Sequence, residues 1–304
     1  MRFTRKPVPK LQLSRRRQGG SLTAPHGQHR VSRPIAEGFQ LVSESPNQNL
    51  RVMLNKVPEV TLAFWVIKIM STTVGETGAD YLAVHVGLGT AVTGGNMFGL
   101  LATVLLLQLR MRRYVPWIYW LTVVLVSIVG TQITDMLTDR LEISLYVSTA
   151  AFAAALAVTF AVWYRIEHTL SIHSIVTTRR ELFYWAAILF TFALGTAAGD
   201  LATEALGLGF NLGTLVFGAL IAVIGTAYAR GAHAVLTFWL AYILTRPLGA
   251  SLGDLMSQAR GYGGLGFGTY YTSLGFLAVI VALMTYVSLD ESHTRRRRDE
   301  TGLA

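Results

Sequence analysis

The chain has no cysteine, so disulfides, thiolate metal centres and cysteine nucleophiles are excluded from the start. Charge is scarce as well. Asp, Glu, Lys and Arg make up 14% of its 304 residues, against 52% hydrophobic residues. That balance excludes an ordinary soluble domain and marks a membrane protein. There is no His-Glu-x-x-His, no Gly-x-Ser-x-Gly and no phosphate-binding loop. Neither Leu252-Gly253-Asp254 nor Ala198-Gly199-Asp200 completes the Gly-x-Gly-Asp of membrane aspartyl proteases. The sequence therefore reads as a non-enzyme with no bound cofactor.

The formal charge of +9 is concentrated in the tails. Residues 1–56 hold eleven Lys or Arg against two acids, and the other end carries Arg295-Arg296-Arg297-Arg298. Basic tails beside spanning helices report topology and anionic lipid rather than nucleic acid. Residues 1–55, rich in Arg, Gln, Ser and Pro, read as a basic and largely disordered cytoplasmic tail, without an apolar run that would serve as a signal peptide.

Spanning a bilayer takes roughly twenty mostly apolar residues. Eight segments qualify, at about 57–83, 95–110, 115–138, 144–164, 181–205, 212–230, 232–256 and 269–289. The first and seventh are the least uniform, because they carry Lys68 and Arg246. With both termini placed in the cytoplasm, 22 of the 26 basic residues fall on the inside and only Arg140 and Arg260 outside. Such a split is a strong positive-inside signature. The expected fold is an all-α polytopic membrane protein, with an eight-helix membrane domain at 56–290 and a basic cytoplasmic tail at 291–304.

One pattern occurs four times: an aromatic pair ending in Trp, Gly ten residues on, and Asp five after that. The sets are Phe64-Trp65, Gly75, Asp80; Tyr119-Trp120, Gly130, Asp135; Tyr184-Trp185, Gly195, Asp200; and Phe238-Trp239, Gly249, Asp254. Gly87-Leu88-Gly89 recurs as Gly207-Leu208-Gly209, and Phe98-Gly99 as Phe217-Gly218. The chain is a duplicated half, and each half is a duplicated helix pair. The repeats fall at about 56–113, 114–165, 180–230 and 231–290. A two-helix unit returns the chain to its starting side, so the four repeats run parallel. A pseudo-fourfold bundle of the first, third, fifth and seventh helices would gather their carboxylates around one axis.

Intramembrane acids are costly and mark ion or proton pathways by default. The position four before each Asp shares its face and holds Glu76, Thr131, Thr196 and Ala250; Glu204 and Asp139 continue the stripe. Oxygen donors of this kind suit hard divalent cations such as Mn²⁺ or Mg²⁺, and no histidine falls on these faces. The candidate metal ligands are Glu76, Asp80, Asp135, Asp200 and Asp254. Thr131, Thr196 and Glu204 support them, and Lys68 and Arg246 supply internal counter-charge. The motif glycines would serve close helix contact or local unwinding that frees carbonyls. Glu59, after Pro58, reads as a first-turn acid.

The segments Lys56-Val57-Pro58-Glu59-Val60-Thr61, Thr73-Val74-Gly75-Glu76-Thr77 and Thr245-Arg246-Pro247-Leu248-Gly249-Ala250 resemble an uncharacterised bacterial family of multi-pass membrane-anchored proteins. The likeness runs over about residues 50–290, with Gly130-Thr131-Gln132-Ile133-Thr134-Asp135 compatible. It implies a bacterial inner-membrane setting and no particular activity. The expected function is transport of a cation, with proton coupling a natural addition. The alternative is a non-transporting scaffold or sensor whose polar residues only pack helices. Expected partners are the bilayer, the transported cation or proton, and anionic lipid at the tails.

Overall fold

The computed structural model describes residues 55–85 and 90–300; the side chains of Asp80, Asp139 and 290–300, among others, lie outside the described residues. The N-terminal tail expected at 1–55 falls almost wholly outside them. Eight long helices follow in order: α1 Leu62–His85, α2 Thr90–Arg110, α3 Pro116–Asp135, α4 Leu145–Glu167, α5 Thr178–Asp200, α6 Gly209–Ala229, α7 Ala234–Ser257 and α8 Thr269–Glu300. Seven of them are long and apolar enough to cross a membrane. The exception is α1, which holds Lys68, Glu76 and Asp80.

The odd-numbered helices form a closed inner ring: α1 packs on α3, α3 on α5, α5 on α7, and α7 back on α1. The even-numbered helices lie outside. Each leans on the inner helix of the following repeat: α2 on α3, α4 on α5, α6 on α7, and α8 on α1. Burial separates the layers. The spans holding α3, α5 and α7 are 56%, 61% and 56% buried, while those of α2, α4, α6 and α8 are 22%, 17%, 11% and 17% buried. An outer helix with most of its apolar surface uncovered is a helix that meets lipid.

The repeated aromatic pairs explain the register. The first ring of each pair meets the tryptophan of the next repeat, Phe64 with Trp120 at 5.5 Å and Tyr119 with Trp185 at 5.5 Å. Tyr184 meets Trp239 at 6.3 Å, and Phe238 closes the circle on Trp65 at 5.6 Å. These offset and tilted pairs have the geometry aromatic rings prefer, and they seal one end of the ring.

Two differences from the sequence reading concern the ends of helices. The first helix begins at Leu62, so Glu59 precedes it and is exposed rather than sitting in its first turn. The last continues to Glu300, through most of the stretch expected as a tail. Helical structure continues past the motif aspartates, as the expected spans to 138 and 205 imply. Asp135 and Asp200 each lead into one π turn, Met136–Arg140 and Leu201–Ala205, closed by Leu141 N to Met136 O at 3.3 Å and Leu206 N to Leu201 O at 2.9 Å.

Candidate functional site: a charged axis inside the ring

The motif glycines are contact points, and they are all the same contact. A Cβ on Gly75 would collide with Ser127 of α3; on Gly130 it would lie 2.9 Å from Phe192 Cβ of α5. On Gly195 it would lie 2.5 Å from Arg246 Cβ of α7, and on Gly249 it would collide with Thr72 of α1. With the repeats aligned on their tryptophans, Thr72, Ser127, Phe192 and Arg246 are one position, three before the glycine. Each glycine thus receives the side chain of the next repeat. The glycines lie within continuous helix, so the local unwinding considered above does not occur at them.

Stepping four residues along each inner helix gives the layers of the axis. Beyond the aromatic end come Lys68, Val123, Ile188 and Tyr242, then Thr72, Ser127, Phe192 and Arg246, all buried. Glu76, Thr131, Thr196 and Ala250 follow, also buried, and then the aspartates. Asp135, Asp200 and Asp254 are half-buried and Glu204 is exposed, so the acid end is the open one.

Arg246 crosses the interior from α7. Its Nη2 donates to Glu76 Oε2 at 2.5 Å and to Thr131 Oγ1, and its Nη1 donates to the Thr72 carbonyl at 3.1 Å. Three helices are held by one guanidinium. Arg246 is 1% exposed and Glu76 7%, so the ion pair is buried, and loss of either partner would strand a charge. Arg246 thus pairs across helices with Glu76.

Lys68 lies on the aromatic side of that pair. Its Nζ sits 3.8 Å from the ring centroid of Phe192 and 4.2 Å from that of Tyr242, and it makes no hydrogen bond. Phe192 also has the Arg246 guanidinium 5.9 Å from its centroid. One aromatic ring therefore lies close to both central cations.

Asp200 lies close enough to Glu76, Glu204, Asp135 and Arg246 to interact with each. Four of the sequence-predicted acids are thus brought to one end of the axis. Thr196 bonds its own helix, to the Phe192 carbonyl at 3.1 Å. Asp254 stands at the same level on α7, where its neighbour Gly253 packs on Thr73, Thr77 and Glu76 of α1. The Asp80 side chain lies outside the described residues. Among the described residues no three His, Asp or Glu side chains already converge on one metal-sized point.

One cluster had no sequence signal. Lys56 Nζ bonds Glu181 Oε2 at 2.7 Å and the Leu109 carbonyl at 3.1 Å, and Gln108 Nε2 bonds Glu181 Oε1 at 3.1 Å. It ties the segment before α1 to the ends of α2 and α5, at the aromatic end. Beside it the hydroxyls of Tyr119 and Tyr184 meet at 2.5 Å.

The fold and axis define a polytopic membrane protein built from four parallel helix pairs around a charged core. The family model described as Repeat of Unknown Function (DUF347) matches four times, over residues 63–114, 118–169, 183–233 and 237–292. The chain belongs to that repeat family. No curated protein and no solved structure matches it.

Proposed function

We propose that the protein transports a cation, with a hard divalent ion such as Mn²⁺ or Mg²⁺ as the leading class. The observation that carries this reading is that Asp200 lies within electrostatic range of Glu76, Glu204, Asp135 and Arg246 at the open end of the ring, with Glu76 bonded to Arg246. Carboxylates and hydroxyls are the ligands of hard cations. Arg246 supplies the counter-charge to Glu76, and an arriving cation would take over that carboxylate. In this reading all eight helices span a bacterial inner membrane, α1 included, because its Lys68 and Glu76 are buried within the ring and not turned to lipid. Both termini lie in the cytoplasm, and anionic lipid meets the basic tails.

Thermal unfolding of the detergent-solubilised protein tests it. A bound ion at about 100 times its Kd adds roughly 2.7 kcal/mol, which reads as a rise of several degrees in Tm. A shift selective for one ion, lost in Asp200→Asn with the ion-free Tm kept, would support the site, and uptake into proteoliposomes should fall in step. The scaffold reading draws on the glycine contacts. It requires that no ion moves Tm and that Asp200→Asn lowers the ion-free Tm.

A further inference from the structure

Three cations are buried among the described residues, and they are held differently. Lys56 has Glu181 at 2.7 Å and Arg246 has Glu76 at 2.5 Å. Lys68, 1% exposed, has two ring faces and no hydrogen-bond acceptor. An aromatic face stabilises an ammonium, but it accommodates a neutral amine just as readily. A carboxylate partner would have fixed the charge; the rings leave it free to change. Arginine keeps its proton under all conditions in proteins, whereas a desolvated lysine exchanges its own.

We propose that Lys68 is the group that gives up a proton when a cation enters the site. The inference rests on the cation-transport reading and adds the coupling residue to it. When a cation takes Glu76 as a ligand, the Arg246 charge loses its counter-ion. The nearest titratable cation is Lys68, which shares the Phe192 ring with Arg246. Its Nζ–H bond breaks with the electron pair left on nitrogen, the proton passes to water, and the amine stays between the two rings. The single charge removed at Lys68 offsets one of the two charges that a divalent ion brings in at Glu76.

The surroundings permit this exchange. From α7 Lys68 faces Tyr242 and Arg246, and from α5 the uncharged Phe192. At its level α3 offers Val123, with the hydroxyls of Tyr119 and Ser127 one turn to either side. On α1 itself Glu76 is two turns away and bound to Arg246. The outer helix α8 brings only Tyr270, Tyr271 and Tyr286 before residue 290, all exposed, and α2 brings Arg110 at its far end. On the aromatic side of Lys68 lie three buried tyrosines. Tyr242 lies within electrostatic range of Tyr119 and Tyr184, whose hydroxyls are bonded to each other at 2.5 Å.

The test is titration calorimetry of the full chain in detergent with Mn²⁺ and with Mg²⁺, in buffers of different ionisation enthalpy, which counts protons released per ion bound. The wild type should release about one proton more than Lys68→Met and than Lys68→Arg. Both variants should still bind, since Met keeps the length and apolar contacts, and Arg keeps a charge that cannot dissociate. Thermal melts check folding, and Lys68→Gln replaces Met if that variant does not fold. Equal proton release by wild type and folded, ion-binding variants overturns the assignment to Lys68 and leaves the transport reading standing. Absence of binding heat in the wild type with either ion removes the transport reading, and the inference with it.

Discussion

Glu142 has φ 52°, in the left-handed region where a side chain is strained. The equivalent residue one repeat later is Gly207, with φ 71° after the same π turn. Glycine adopts this backbone without steric cost. Glu142→Gly should therefore raise stability by about 1 kcal/mol, and Gly207→Ala should lower it by a similar amount. Melting both variants in detergent decides it; equal Tm values for Glu142→Gly and wild type would show that the loop relaxes the strain elsewhere. Residue-level sites were legible unevenly. The four aspartates stood out because a repeated acid in an apolar stretch has no cheap explanation. Glu76 and Arg246 were visible singly but not as a pair, because their contact joins helices from the first and last repeats. The pairing of Lys56 with Glu181 carried no signal, since each looked like an ordinary charge at a membrane boundary.

Between helices, the position three before each motif glycine decides how closely neighbours approach. Its occupants differ greatly in size, from Thr72 and Ser127 to Phe192 and Arg246, while the receiving position is always glycine. The ring therefore depends on the missing Cβ more than on the identity of the knob. Gly130→Ala places a Cβ 2.9 Å from Phe192 Cβ, an atom fixed to its own backbone. It should cost roughly 1–3 kcal/mol, as overpacking does. At Gly99 and Gly225 an added Cβ would meet nothing within 4 Å. There Ala should add up to about 1 kcal/mol through helix propensity alone. Opposite signs in Tm for Gly130→Ala and Gly225→Ala are the expected result. If both stabilise, the glycine contacts are not what sets the ring. The fourfold ring itself could be anticipated from parallel repeats with a shared acid. The outer helices could not be placed, because a lipid-facing helix carries no pattern that names its neighbour.

At the scale of the whole molecule, the chain closes on itself by joining its first and last repeats. Arg246 reaches Glu76, Thr72 Oγ1 donates to the Thr245 carbonyl at 3.1 Å, and Thr77 shares a hydrogen bond with Ser273 at 2.6 Å. The outer helix α8 then covers α1, as each earlier outer helix covers its successor. Residues up to 169 alone would hold α1 and α3 with half a ring. Glu76 would be left without Arg246, Lys56 without Glu181, and one face of each inner helix uncovered. An uncompensated buried charge of this kind costs roughly 3–5 kcal/mol, which is a large part of the stability of most domains. The fragment 1–169 should therefore aggregate or be degraded when made alone. Made together with 170–304, it should copurify as one species that melts in a single transition. Arg246→Ala in the second fragment should weaken that assembly, while Arg260→Ala, at an exposed residue, should leave it intact. A monodisperse, helical 1–169 fragment would mean that each half closes its own bundle. The duplication would then have made two similar units side by side, and the central acids of the two halves would not share an axis.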